Sequence, residues 1–287
     1  MKSLLFIPVL FLIFCCSPTS NKENQSINGK AISLVAEDST VVKDILASTF
    51  IFQDGDQKHL IFRDAPASTI YVFDRESGKL EYKWTKTGDV PGAFSMATKN
   101  LNLTNSGELV LIDINQGLRV FTKDGELING ASPVANQWSF GGPFNPFRNT
   151  DLVNIEGENF ILYSLDKLEA EREYNPAYLQ NRNNLVLTNL ETGAHRFILQ
   201  FPESSKFLNG KIYPFEDFRP NFVVDESANK LFVIFQNEPI LYTYLWNDGN
   251  PKFQSAKRIE LPGFEENEGW EPGSIQMAQI TDQVNEP

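Results

Sequence analysis

The chain has little of what most enzyme and scaffold architectures need. Its 287 residues hold two Cys, two His and three Met. Both Cys sit side by side, as Cys15-Cys16, so residues 17–287 contain none. A disulfide framework, a zinc-finger architecture and cysteine chemistry in the folded body are excluded. Basic residues are also scarce: 25 Lys+Arg stand against 37 Asp+Glu, a net charge of −12. A nucleic-acid partner is excluded by that balance, because neutralising phosphates takes a basic footprint. No HExxH, G-x-S-x-G, P-loop, G-x-G-x-x-G or EF-hand loop is present. No cofactor is expected, and no catalytic residue or metal ligand set stands out. What is plentiful is apolar and aromatic: 41% hydrophobic residues and 23 Phe, enough to build a core.

The one long apolar run, Leu4 to Phe14, follows a single cation, Lys2. Eleven residues are too few to cross a bilayer core, which takes ~20 as helix. The run has the form of an export signal. It ends on Cys15-Cys16 and passes into a polar Ser/Asn/Lys stretch, SPTSNKENQSINGK. A Cys in that place resembles the acceptor of a bacterial lipoprotein signal. Cys16, preceded by the small Cys15, fits the acceptor better than Cys15 behind bulky Phe14. The expected organisation is a signal over 1–16, a tether over 17–30 and a folded domain over 31–287. The implied partner is a membrane, reached through an N-terminal lipid, and the expected location is the cell envelope, at the outer membrane or its periplasmic face.

The folded part repeats itself. A hairpin with an apolar strand, a Gly turn and a second strand occurs as 70–84, 118–128, 185–199 and 241–253. Its turn glycines, Gly78, Gly125, Gly193 and Gly249, are spaced 47, 68 and 56 residues apart. A second hairpin precedes each, at 48–62, 101–113, 152–163 and 221–235. Strands such as KLFVIF and ILYTYLW are apolar on both faces, the pattern of strands covered on both sides. Four strands per unit predict an all-β fold: a β-propeller with four-stranded antiparallel blades at about 48–85, 97–130, 150–200 and 220–261. A β-sandwich gives no reason for one two-hairpin phrase to recur four times. A fifth blade starts near Gly273, and residues 31–46 are expected to add an outer or closing strand. On this reading, four full blades and part of a fifth are visible.

The chain resembles the six-bladed β-propeller lipoproteins of the Bacteroidota, relatives of TolB-like and NHL-like propellers. The signal ending in Cys, the GDVPGAF junction (88–94), the VFD-x-x-SG-K-L hairpin and the FRPNF…KLFVIF…ILYTY phrase carry the resemblance. It covers roughly residues 40–280 and implies a fold rather than an activity.

Propellers bind at the face where loops entering the innermost strands converge. Two such loops, 136–149 and 207–221, each place Phe-Arg ahead of a first strand: Phe147-Arg148 and Phe218-Arg219. Two guanidiniums with aromatic neighbours suit a carboxylate or a glycan. Packing between blades and pairing with neighbouring acids is the competing role for the same residues. Trp138, Tyr213 and Trp270 are expected next around the rim. The expected ligand is a glycan, a peptide or an envelope protein; a metal-dependent hydrolase, lactonase or lyase at the axial channel is the rival reading. Isolated His59 and His195 are expected on strand surfaces. Asp54-Gly55-Asp56 and Asn247-Asp248-Gly249-Asn250 are expected to be tight turns rather than calcium loops. Residues Asp166 to Tyr174 predict a short helix stopped by Pro176, and Asp38-Ser39-Thr40 matches a three-residue O-glycosylation pattern.

Overall fold

A computed structural model describes residues 34–35, 46–64, 68–94, 101–113, 117–132, 150–164, 176–214 and 217–273; the side chains of 46–50 and 54 lie outside that description. The chain divides into Met1–Ile32 and Ser33–Pro287, and every described residue belongs to the second unit. The proposed signal, Cys15, Cys16, the tether and Asp38-Ser39-Thr40 therefore fall outside the described residues. Among the described residues, no helix is long and apolar enough to cross a membrane.

Among the described residues, sixteen strands form four four-stranded antiparallel sheets, each in simple sequential order. Blade I holds β1 (Leu46–Asp54), β2 (Gln57–Asp64), β3 (Thr69–Asp74) and β4 (Leu80–Thr85). Blade II holds β5 (Asn102–Leu103), β6 (Leu109–Asp113), β7 (Gly117–Phe121) and β8 (Leu127–Ala131). Blade III holds β9 (Thr150–Ile155), β10 (Glu158–Ser164), β11 (Asn183–Asn189) and β12 (His195–Gln200). Blade IV holds β13 (Pro220–Asp225), β14 (Lys230–Phe235), β15 (Glu238–Asn247) and β16 (Asn250–Arg258). Four separate meanders exclude two facing sheets; the fold is a β-propeller of four-stranded blades. The eight hairpins stand where the repeats place them.

Alternation along each strand explains the stacking, since successive side chains point to opposite faces. Ile61, Ile70 and Val72 of blade I meet Leu109, Leu111 and Phe121 of blade II. The other face of blade II, with Val110, Ile112 and Val120, meets Ile161, Tyr163 and Val186 of blade III. Leu162, Leu185 and Leu187 then turn to Leu231, Val233, Phe235 and Tyr242 of blade IV. Phe62, Tyr71 and Phe73, on the remaining face of blade I, form a separate buried aromatic cluster.

One device recurs at all three seams. A donor on the fourth strand of one blade reaches the β3–β4-type turn of the next. Trp84 Nε1 donates to Lys123 O (3.0 Å). Asn129 Nδ2 donates to Leu190 O (2.7 Å) and Glu191 O (2.6 Å). Arg196 Nη2 donates to Asp248 O (2.7 Å). The turn glycine lies against the same strand. Gly125, at φ +91°, has its Cα so close to Trp84 that a Cβ would sit 2.6 Å from the indole. Backbone conformation and space both require glycine there.

One expectation is corrected, that for His59. Pro176 opens a helix, α1 (Pro176–Asn181); its fixed φ and missing N–H suit the first helical position. Residues 166–174 lie outside the described residues. His59 is buried, at 1% exposure, rather than on a strand surface. Its Nδ1 lies 2.7 Å from Glu81 Oε2, and Lys123 Nζ is 3.4 Å from its Nε2. The Lys123 turn of blade II is what covers it, and no single-strand pattern carries that contact. Within the N-terminal segment 31–46, Val35 pairs in parallel with Lys79 beside the start of β4, the outer strand of blade I, through bonds from Val35 N to Gly78 O (2.8 Å) and from Leu80 N to Val35 O (3.1 Å). His195 is exposed, as expected. Gly55 and Asp56 form a turn, and Asp248-Gly249 close a two-residue hairpin with positive φ at both positions.

Candidate functional site

In every blade both tight turns, between strands one and two and between three and four, lie at one end. The connections between strands two and three, and between blades, lie at the other. These are the turn end and the loop end.

At the loop end the sequence-derived residues separate. Phe147, Arg148 and Trp138 lie outside the described residues. Phe218 is fully buried, edge-on to Phe201 and Phe207. Backbone bonds from Gln236 N to Arg219 O (3.0 Å) and from Asn237 N to Asp217 O (2.8 Å) fix this segment ahead of β13. Arg219 is half-buried beside it. Tyr213 is also fully buried: its hydroxyl accepts from Asn209 Nδ2 (2.8 Å), and burial raises its pKa. Trp270 is half-buried and comes next to Tyr213 through paired backbone bonds with Ile212, 2.9 Å each way. Tyr213 and Trp270 are thus brought together, while the exposure that remains belongs to Arg219 and Trp270.

Sequence reasoning missed the strongest cation–aromatic contact of this end. Arg182 is 2% exposed, its Cζ 5.2 Å from the Phe218 ring centre. Nη1 donates to Tyr178 Oη (2.7 Å) and Nε to Asn184 Oδ1 (3.1 Å). Arg182 precedes the third strand, β11, rather than a first strand, yet connections of both kinds share the loop end, and an Arg near an aromatic ahead of either kind of strand is the sequence signal for it. Other charges are buried here too. Arg63 lies with Asp113 and Asp64, its pKa brought down to about 10 by burial against the pull of those carboxylates. Glu238, 1% exposed, accepts from Lys206 N (2.7 Å) and Ser205 Oγ (3.0 Å); burial raises its pKa above the carboxylate range.

The turn end is different. A cleft of about 320 Å³ opens between the first strands of blades II, III and IV. Asn102, Asn105, Asp151, Asn154, Asn159 and Glu226 line it. The three strands are tied laterally by polar bonds. Asn102 Nδ2 donates to Thr150 Oγ1 (2.7 Å), Val224 N to Asp151 Oδ2 (3.1 Å) and Asn154 N to Glu226 Oε1 (2.7 Å). Partial burial, and after the opposing bond from Val224 the nearby charge of Glu226, leave the Asp151 carboxyl with a raised pKa. Two further clefts open at the same end, one between blades II and III beside Glu108, Asn129 and Glu191, one along blade III beside Glu158, Asn189 and Arg196. Chemically the central cleft offers carboxamides and carboxylates, groups that donate to and accept from hydroxyls and amides. Among the described residues, no group of three or more His, Cys, Asp or Glu side chains is arranged to hold a metal ion.

Among solved structures, the chain is similar to a member of the DUF4221 family from Bacteroides vulgatus: TM-score 0.53 at 16% identity, with 77% of this chain matched. The chain spans 60% of that protein's length. A protein described as exported, from Bacteroides fragilis, gives TM-score 0.45 at 15% identity over 78% of this chain and 53% of its own. The extracellular domain of a hybrid two-component system from B. thetaiotaomicron gives 0.42 at 16%, over 76% and 24%. No protein-family model matches the chain, and no curated protein does. At these identities the first likeness speaks to the fold.

Proposed function

We propose that the chain is an exported binding propeller, held at the cell envelope by a lipid on Cys16, that recognises a glycan or peptide without chemically altering it. The carrying observation is the turn-end cleft lined by Asn102 on β5, Asp151 and Asn154 on β9, Asn159 on β10, and Asn105 and Glu226 in the turns after β5 and β13. Side chains of this kind bind through arrays of hydrogen bonds to neighbouring hydroxyls or to amides, and rigid strands hold them in place. The export-type segment ending in Cys15-Cys16 supports the location.

A second reading keeps the ligand at the loop end, where Arg148 and Arg219 would grip a carboxylate. Arg219 supports it, being half-buried immediately ahead of first strand β13. Binding to glycan and peptide arrays separates the two readings. Loss in Asn105→Ala with Glu226→Ala, and retention in Arg148→Ala with Arg219→Ala, is the expected result. The reverse pattern moves the site to the loop end. Array binding unaffected by both pairs removes the binding proposal.

A further inference from the structure

Blade IV breaks a rule that the middle blades obey. The central strands of blade II are almost wholly buried, and so is β11 of blade III, because each lies between two neighbours. In blade IV, β14 reads half-buried, buried, half-buried throughout, and β15 alternates similarly over most of its length. Its buried face, with Leu231, Val233, Tyr242 and Tyr244, packs on blade III. The opposite face carries Val223, Phe232, Ile234, Leu241 and Leu245, and Val223 is 54% exposed. The sequence is apolar on both faces, but among the described residues only one is packed against a neighbouring blade. Blade I shows no such opening, since Phe62, Tyr71 and Phe73 are each at most 4% exposed.

We propose that this face of blade IV packs against the same face of a second copy, with a two-fold axis parallel to the strands and between β14 and β15. Three features support a second copy as occupant. The face continues the established stacking, in which apolar sheet meets apolar sheet. Two-fold pairing of like surfaces is the commonest closed assembly. The edges are also complementary under this operation. Asp225, Lys230, Leu245 and Lys252 form one cross-strand row, with Asp225 on β13 at one edge and Lys252 on β16 at the other. The two-fold sets β13 of one copy over β16 of the other, so Asp225 faces Lys252 twice. Strand spacing and rise give about 400 Å² of sheet per copy, about 800 Å² in all and below the roughly 1,000 Å² that a stable interface clears, so the dimer is expected to be weak and transient, dissociating at micromolar or higher concentrations.

Because residues 17–287 lack cysteine, the test is clean in the full chain carrying Cys15→Ser and Cys16→Ser. Sedimentation from about 1 μM to about 1 mM, bracketing that range, should show a monomer–dimer equilibrium. Leu241→Lys should weaken it at least tenfold. Ile128→Asp, an exposed apolar position on β8 of blade II, should leave it unchanged. Thr243→Cys lies near the axis on the open face. Facing sheets are about 10 Å apart, so a short bismaleimide should join two Thr243→Cys copies where a direct disulfide should not form. This arm stands even if Leu241→Lys fails to fold. A monomer at every concentration, a dimer that survives a folded Leu241→Lys, or a dimer that Thr243→Cys fails to cross-link overturns the proposal. A one-to-one complex formed only with a different protein does so as well.

Discussion

The two ends of the propeller use polar side chains in opposite ways. At the loop end, charges are turned inward: Arg63, Arg182, Asp113 and Glu238 are each at most 2% exposed and are matched to neighbours inside the fold. At the turn end, Asn105, Asn154, Asn159 and Glu226 are exposed around an open cleft. A buried charge is costly unless its partners are supplied in place, so the loop-end groups are committed to structure. The exposed Asn105 side chain, in the turn after β5, carries no such commitment and remains available to a ligand. Substitutions at the loop end should damage stability, whereas Asn105→Ala in the cleft should damage only recognition.

The largest expected effect tests the packed side of that contrast. Phe218→Ala removes a fully buried ring shared by Phe201, Phe207 and Arg182. The expected loss is about 3–5 kcal/mol in urea unfolding. A loss below about 1 kcal/mol, the level of a typical point substitution, together with lost ligand binding, would return Phe218 to the recognition role that its position before β13 predicted.

Next come the turns themselves. Gly125→Ala places a Cβ against Trp84 in a left-handed conformation and should cost about 1–3 kcal/mol. Gly157→Ala has the same backbone sign, φ +90°, with nothing within 4 Å. It should cost about 1 kcal/mol. Equal losses would mean that the seam contributes nothing beyond the turn.

How far these roles were legible follows from what each signal can encode. Alternation and turn glycines are local, so the eight hairpins, among them the one at Asp248-Gly249, could be read from the chain; KLFVIF is apolar on both faces, but β14 is fully buried on one only. Burial of His59 and Phe218 depends on a neighbouring blade or loop, which no single-strand pattern specifies. The cleft was invisible for a related reason. Asn105 and Glu226 sit in two turns and Asp151 on strand β9, dozens of residues apart, and each alone reads as ordinary turn or strand chemistry. Arg219 was found because Phe-Arg repeats in sequence; Arg182 was not, because nothing repeats it.

Glu238 adds a pH handle to the loop end. Burial raises its folded pKa above the carboxylate range. An acid shifted this way holds its proton more tightly when folded. Its contribution is therefore most favourable below the unfolded pKa and is lost as pH rises through the folded one. Glu238→Gln keeps an acceptor for Lys206 N without the charge. It should match the parent near pH 4 and melt higher at pH 8, by about 2 °C. A variant less stable at both pH values would mean that the ionised carboxylate, held by Ser205 and Lys206, is the favoured form.

The smallest expected effect is the most discriminating for the cleft. Asn105 is exposed, in the turn between β5 and β6, and lines the cleft. Its side chain is not built into the lateral ties that hold the first strands together, which run through Asn102, Asp151 and Glu226. Asn105→Ala should therefore change unfolding free energy by no more than about 0.5 kcal/mol, while array binding falls. Stability and binding lost together would make the turn end as structural as the loop end, and the contrast between them would fail. Stability kept and binding lost is the signature of a surface held ready by the fold but not needed by it.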